Sequence, residues 1–431
     1  QFPGPWLFNQ LLKFYDYFAG LKQHKFWPKR DYLSLVPSVE EKNLLGGTQF
    51  SDALTDDSRM VQRLIQEAVQ LGAQAINYVK ATALLEQGEK VVGVRILPEE
   101  NSLKAFELNA DVVINATGAW SNLLTKTKNT QPAFTMRPLR GSHLVIPSWR
   151  LPVASAVSVL HPEDKRPVQI YPWQNVTIVG TTDVEHGEDI NKEANISQQE
   201  FDYLIACIEH QFPAAQISAK DIVSTFSGIR PVIASGGLIA PSQEKREHSI
   251  SQHCGLISVT GGKLTTFRLI ARQVMSMAAK SLKIKLSNIQ QPIFEASKMK
   301  PEPGMPSYVQ QQIQSCFGIL AGEFIRQSPK SLCQPVSYSR HLWAELVWAA
   351  KYEQVQHLDD LLLRRTRIGN VLPRGAIEHL DKIRAICSQY LGWNKEKWQQ
   401  EIARYVKIWQ SSYSLPGKKP SHLNNHKVIN T

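Results

Sequence analysis

Hydrophobic and polar positions recur along this chain with two different periods, and the changes of period divide it. In "DSRMVQRLIQEAVQL", residues 57–71, Met60, Val61, Leu64, Ile65 and Val69 return at the spacing of an amphipathic helix. A shorter helical stretch runs from Trp6 to Ala19 among aromatic and basic residues. "GAQAINYVKATALLEQGEKVVGVRIL" changes period and predicts two or three strands with turns at Gly88 and Gly93. "ADVVINATGAWSNLL" adds a buried strand at 112–115 and a helix start at Ser121. Residues 130–240 are rich in short β-type runs, "SHLVIP", "PVQIYPW" and "VTIVGTTD", with one helical patch around 198–211. "GLISVT" is a further strand that leads into a helix. Pro292, Pro301, Pro303 and Pro306 mark 284–306 as a linker. From 307 to about 411 the pattern is helical, most clearly in "HLWAELVWAAKYEQVQHLDDLLLRR", and the polar tail is expected to be loose.

Composition narrows this picture. A chain of 431 residues is too long for one ordinary core, so two or three domains are expected. With 42% hydrophobic and 20% charged residues the chain is of folded, globular type. No apolar run reaches about 18 residues, so nothing in it predicts a membrane-spanning helix. The five cysteines are scattered without a C-x-x-C pair, which points to neither a zinc site nor a disulfide framework. Reduced thiols in a cytoplasm-facing compartment are the simplest reading. A net charge of +11 invites nucleic acid or anionic lipid, yet the basic residues are spread evenly with no basic helix. Nucleic acid therefore ranks low, and an anionic substrate or a membrane surface fits at least as well.

Candidate chemistry lies where strands give way to other structure. In "GLISVTGGKLTTFR", residues 255–268, a strand breaks on Gly261 and Gly262 and passes Lys263, Leu264, Thr265 and Thr266. The helix is expected to begin near Lys263, with Leu264, Phe267, Ile270 and Val274 facing inward. A helix start leaves N–H groups unpaired and carries partial positive charge. Glycines let a ligand approach that backbone, and the Lys263 ammonium adds to the field. Such an element suits an anion, or a ring that becomes anionic during reaction. It is not a P-loop: Ile257 stands where the first glycine belongs and Leu264 where Ser or Thr belongs. A plain βα turn remains a competitor for these residues alone. "INATGAW" repeats the logic, with Ala116, Thr117 and Gly118 small enough for something flat to pass over. "FSGIRPVI" sets Arg230 between Gly228 and Pro231 on a rigid bend, where it is either solvated or clamps a carboxylate or phosphate. "RPLRGSHLVIP" puts His143 at the start of a strand, as a structural hydrogen-bonder or a catalyst. Thr181, Thr182 and Asp183 in "IVGTTDVEH" serve equally as ligand groups or as a tight turn.

Taken together and in order, these segments resemble the FAD-dependent glycerol-3-phosphate dehydrogenases of the membrane-associated respiratory type. That group belongs to the broader flavin amine and hydroxy-acid oxidoreductases. "PWLFNQLLKFYDYFAG", "GGTQFSDALTDDSRMV", "NATGAWS", "RGSHLVIP", "VGTTD", "SGIRP", "REHS", "TGGKLTTFR" and "LVWAAKYEQVQHLDDLLLRRTRIG" carry the resemblance over most of the chain. It implies a mixed α/β fold with three parts. These are an incomplete Rossmann-like flavin domain of FAD/NAD(P) type, an antiparallel β-rich substrate domain and a C-terminal all-helical domain. The corresponding division is a helical lead-in at 1–45, flavin domain at 46–128 and 249–285, substrate domain at 129–248, linker at 286–306, helical domain at 307–415 and a disordered tail at 416–431.

The resemblance further implies that Ala116, Thr117, Gly118, Gly228, Gly261, Gly262, Lys263, Leu264 and Thr265 line FAD. Arg230 and Arg246 would hold the substrate phosphate, with Lys263 and Thr182 beside it. His143 is the candidate acceptor of the hydroxyl proton and Lys263 its rival. The implied reaction is oxidation of sn-glycerol 3-phosphate to dihydroxyacetone phosphate, with electrons passing to a membrane quinone, or to oxygen in oxidase relatives. A cytoplasmic protein, peripheral on the inner face of the cell membrane and dimeric with itself, would be consistent with it. The alternatives are another flavin-dependent amine or hydroxy-acid oxidoreductase, or a non-catalytic, truncated remnant.

One departure stands out. No G-x-G-x-x-G occurs in these residues, although a Rossmann flavin domain carries the pyrophosphate on that turn. The chain, beginning at Gln1, reads as the larger part of a longer protein. On that reading the 431 residues alone are expected to hold FAD poorly.

Overall fold

The computed structural model describes residues 4–20, 24–99, 104–124, 136–234, 247–286, 291–300 and 302–417. Helix α1 (Pro5–Ala19) precedes a ribbon of β1 (Lys25–Pro28) and β2 (Gly46–Gln49), with α2 (Lys29–Leu35) between them. The boundary expected at residue 45 thus cuts a paired ribbon. Helix α3 (Asp57–Gln70) starts where the Asp56 carboxylate accepts from the Arg59 N–H. Strands β3 (Val79–Gln87), β4 (Lys90–Pro98) and β5 (Phe106–Asn109) form an antiparallel meander. Gly93 lies inside β4 and is not a turn. A Cβ there would stand 2.1 Å from the Leu108 carbonyl, so the glycine lets β5 close against β4.

Next come β6 (Val113–Asn115) and the one-turn helix α4 (Ser121–Leu124). Among the described residues β6 is not fully buried, since Ile114 is 43% exposed. The large antiparallel sheet contains β7 (Met136–Pro147), β8 (Val157–Leu160), β9 (Pro167–Trp173), β10 (Val176–Gly180) and β11 (Val184–Glu185). After α5 (Gln198–Gln211), β12 (Ser224–Ile233) joins it by pairing with β7 along its whole length. The hairpin β13 (His248–His253) and β14 (Leu256–Gly261) follows, then α6 (Phe267–Leu282). The helical region is α7 (Ser307–Phe317), α8 (Ala321–Gln327), α9 (Trp343–Tyr352), α10 (Ile368–Val371), α11 (Leu380–Leu391) and α12 (Lys395–Ser412).

Strand β7 is the axis of the molecule, and its pleat explains why. Successive side chains of a strand point to opposite faces. Leu144 and Ile146 enter the core shared with Leu204, Cys207 and Ile208 of α5. Val145, between them, enters the core of Trp343, Leu346 and Leu362 in the helical region. The sheet therefore has α5 on one face and the C-terminal helices on the other, and "HLVIP" reads apolar throughout because both faces are covered.

Several expectations change. "FSGIRPVI" is a straight strand rather than a bend; Pro231 is tolerated because β12 lies beside a single strand among the described residues. His143 sits within β7, not at its start. In α3, Val61, Ile65 and Val69 are exposed among the described residues, while Arg59 is buried against Glu353 at 2.9 Å. The tail from 418 onward lies outside the described residues.

Candidate active site

The site is built from two pieces that β12 joins. The first is a face of the large sheet. Register places Phe226 and Gly180 on either side of His143, and Gly228 beside Gly141. Gly141 and Gly180 serve packing: a Cβ on Gly141 would stand 2.2 Å from the Arg230 guanidinium, and one on Gly180 2.2 Å from the His143 ring. Side chains of Arg230 and His143 thus lie flat over neighbouring backbone. The Arg230 guanidinium donates to the Thr181 hydroxyl at 3.0 Å and to the Asp183 carboxylate at 3.2 Å. Asp183 lies 3.8 Å from Arg166 as well. Gly228 faces open space, with nothing within 4 Å of where a Cβ would be.

His143 stacks on Phe226 with ring centroids 4.5 Å apart and planes 10° from parallel. Its surface keeps some exposure, but Nδ1 is enclosed and has no hydrogen-bond partner among the described residues. Burial pushes the imidazole down to about 3, and the cations Arg230 and Arg367 push the same way. It is neutral at pH 7.

The opposite face of β7 is a closed polar network. Glu200 of α5 accepts from Arg140 at 2.7 Å, from Ser142 at 2.7 Å and from Thr182 at 2.6 Å. Burial pushes the Glu200 carboxyl up, but hydrogen bonds from Thr182, Ser197, Ser142 and Arg140 outweigh this and hold it below its ordinary value. Thr182, expected at the substrate, is a buried group whose hydroxyl is spent on Glu200 and whose carbonyl accepts from Arg230 at 3.4 Å; the hydroxyl that Arg230 meets is that of its neighbour Thr181.

The second piece is a pair of turns at the ends of two parallel strands. β14 runs parallel to β6, with Ser258 opposite Asn115. Ala116–Thr117–Gly118 leaves one strand and Gly261–Gly262 the other. The turns are laced together: the Ser121 and Thr260 hydroxyls lie 2.7 Å apart, and Thr260 also donates to the Gly118 carbonyl at 3.3 Å. Gly261 and Gly262 have φ of 74° and 94°, which favour glycine, and a Cβ on Gly261 would stand 2.4 Å from the Glu247 carbonyl. Lys263, Leu264 and Thr265 are exposed. The helix does not begin at Lys263: a 3-10 turn at Leu264–Thr266 intervenes and α6 starts at Phe267. Leu264 consequently points outward, 47% exposed, rather than into the core.

Ile233, at the end of β12, reaches within 3.3 Å of a Cβ position on Gly261. Arg230 is three residues back along the same strand, about 10 Å. The two pieces therefore adjoin through β12, with Ile233 turned by the pleat to the face opposite Arg230. His143, Arg230 and Gly228 are brought together, as are Ala116–Gly118 and Gly261–Thr265, while Arg246 falls outside the described residues. Phe226, Thr181, Asp183 and Arg367 also belong here. Glycines inside strands, at 141 and 180, are the sequence signal that something packs close over them; Arg367 has no local signal.

The ends of parallel strands are where α/β folds receive ligands, and comparison with known proteins gives the family. The family described as "FAD dependent oxidoreductase" matches residues 7–274. The chain belongs to that family. A second match, "C-terminal domain of alpha-glycerophosphate oxidase", covers residues 260–398. This oxidoreductase is 27% identical over 412 residues to glycerol-3-phosphate dehydrogenase 2 of Mycobacterium tuberculosis, spanning 91% of this chain and 69% of that protein. It is 25% identical over 438 residues to aerobic glycerol-3-phosphate dehydrogenase of Staphylococcus aureus, spanning 95% and 78%. Its fold matches that of glycerol-3-phosphate dehydrogenase from Bacillus halodurans complexed with FAD, with a TM-score of 0.70 at 23% identity over 89% of this chain and 79% of the other.

FAD, the cofactor of the family, can be tested against these turns. Gly118, at φ 59°, has no atom within 4 Å of a Cβ position, so the backbone there is open to a flat ring. Gly261 and Gly262 stand beside it on the next strand. The open backbone at Gly118 fits such a ring, whereas Cβ positions on Gly261 and Gly262 meet Glu247 and Ile270 of this chain.

Proposed function

We propose that this oxidoreductase acts on sn-glycerol 3-phosphate, yielding dihydroxyacetone phosphate, with a membrane quinone as the final electron acceptor. The observation that carries the proposal is the joining through β12 of two pieces: a sheet face bearing His143 and Arg230, and glycine turns suited to a flavin. The names of the relatives point to the same substrate. Bound FAD would supply the acceptor for the hydride from the C2 carbon. Ala116–Gly118 and Gly261–Thr265 would hold its ring side, with Lys263 adding positive charge just before the 3-10 turn.

Arg230 binds the phosphate. Asp183 and Thr181 fix its guanidinium edge, so the fork is already oriented when the dianion arrives. His143 is the acceptor of the hydroxyl proton. In the ligand-free site its proton affinity is low, because two cations oppose the imidazolium. A phosphate dianion beside Arg230 offsets that field and raises the affinity when substrate is present. Lys263, exposed at the turn, is the rival base.

Quinone as acceptor and a peripheral seat on the membrane belong to the same proposal. The support is α1, where Trp6, Phe14, Tyr17 and Phe18 are each at least 66% exposed beside Lys13. Aromatic and basic residues on one helix suit the headgroup region. Among the described residues no helix is long and apolar enough to cross a membrane.

The test has two readouts. The chain is titrated with glycerol 3-phosphate by calorimetry, and, anaerobically with excess FAD, bleaching of the visible flavin absorption is followed. Binding and bleaching are expected, with glycerol and simple carboxylates inert. Arg230→Ala is expected to weaken binding by tenfold or more, about 1.4 kcal/mol. Absence of both binding and bleaching, in a folded protein, overturns the proposal.

A further inference from the structure

The face of β7 that carries Gly141 and His143 is the one that the C-terminal helices cover, since Val145, two residues on, enters the core that contains Leu346. The helical region also seals the neighbouring edge of β12. The Thr225 N–H donates to the Tyr413 carbonyl at 2.8 Å, its hydroxyl donates to the Ser414 carbonyl at 3.0 Å, and the Ser224 hydroxyl donates to the Asn370 carbonyl. One side chain goes further. Arg367, the residue before α10, has φ 57°, a left-handed backbone that a non-glycine residue rarely adopts. Its guanidinium lies 2.9 Å from Asp57 and 3.5 Å from Asp56, at the start of α3. It also lies 4.8 Å from the Trp173 ring and 5.9 Å from the Phe226 ring. Phe226 is the ring on which His143 stacks.

We propose that Arg367 is a positioning residue of the active site: pinned by Asp57 and laid over the Trp173 and Phe226 rings, it fixes the stack that orients His143 and makes seating of the C-terminal helices a condition for an ordered site. The inference rests on His143 being part of that site. It adds a group from a part of the chain that the motifs of the flavin and substrate regions do not include. The charges that face His143 are accounted for element by element: Arg230 on β12 with its partner Asp183 after β10, and Arg367 before α10 with its partners Asp56 and Asp57 at α3. Each cation is tethered to carboxylates, so its position depends on that element being docked. The cationic field at His143, part of which comes from Arg367, has the same origin.

The test reads the His143 ring directly, by histidine ring NMR on the whole chain, its signal identified by its loss in His143→Gln. It needs neither FAD nor substrate. Arg367→Met removes the charge and keeps the stem. Its His143 midpoint is expected to rise by about one pH unit, so that at about pH 4 the ring is half protonated where the parent ring stays mostly neutral. Arg367→Gln, which keeps a donor for Asp57, is the second variant should the first fail to fold, with the same direction expected. Arg367→Lys restores the charge and is expected to return the midpoint to the parent value. A parent-like midpoint in a folded Met or Gln variant overturns the inference. That result would leave the glycerol 3-phosphate reading standing, and failure of the substrate titration would likewise leave this result intact.

Discussion

At the scale of the residue, His143 shows how one strand position meets two demands. On the proposed reading its ring meets a polar substrate, yet it lies enclosed, stacked on Phe226 with a glycine beneath it. Its imidazole is held at about 3, against an ordinary 6.5. Between those values the unfolded chain takes up a proton that the folded protein refuses. Stability from this source is therefore full above about pH 6.5 and lost progressively as pH falls toward 3. His143→Gln lacks that slope. In urea unfolding, the parent protein is expected to lose up to about 2 kcal/mol more than His143→Gln between pH 7.5 and pH 5. Equal losses in the two proteins would remove the enclosed neutral imidazole. The sequence offered His143 as either a hydrogen-bonder or a catalyst.

At the scale of the element, β7 separates its chemistry by pleat. Odd positions 141, 143 and 145 face the His143–Arg230 cluster and the C-terminal helices. Even positions 140, 142 and 144 face α5, where Glu200 gathers Arg140, Ser142 and Thr182. This alternation was legible in "RGSHLV" as a strand, but the partner of Arg140 was not, because Glu200 lies 60 residues away. Glu200→Ala would leave the buried Arg140 guanidinium with only the exposed Glu188 carboxylate, 3.6 Å away, and is expected to cost about 3 kcal/mol in denaturant unfolding. Glu200→Gln, which keeps acceptors for the two hydroxyls, is expected to cost less. A loss below about 1 kcal/mol for the alanine variant would show that Arg140 finds water or another carboxylate. The 3-10 turn before α6 is another element-scale result. Lys263 and Leu264 fit a helix pattern by period, but positive φ at Gly261 and Gly262 turns the chain so that they leave the core.

At the scale of the molecule, the two faces of the large sheet set the order of assembly: α5 on one, the C-terminal helices on the other, with α3 tied to the latter by the buried Arg59–Glu353 pair. Helix α1 buries Leu12 and Asp16 but leaves its aromatic residues outward. On a chain with a net charge of +11, that helix is expected to bring the protein to vesicles of anionic lipid, and salt should weaken the attachment. Phe14→Ser with Phe18→Ser should cut co-sedimentation several-fold. Unchanged binding, or equal binding to neutral vesicles, would refute a membrane role for α1.

The sequence by itself determined what depends on near neighbours. It set strand and helix periods, the glycine turns after β6 and β14, the basic balance and the string of motifs that resembles a flavin oxidoreductase family. Those follow from local sterics and hydrogen bonding, which act over a few residues. Only the tertiary structure decided which hydroxyl, Thr181 or Thr182, looks toward Arg230, and that Arg367 stands over the ring beneath His143. These are contacts between residues far apart in the chain, fixed by sheet register and by how the helices dock. A one-residue change of register would move each side chain to the other face.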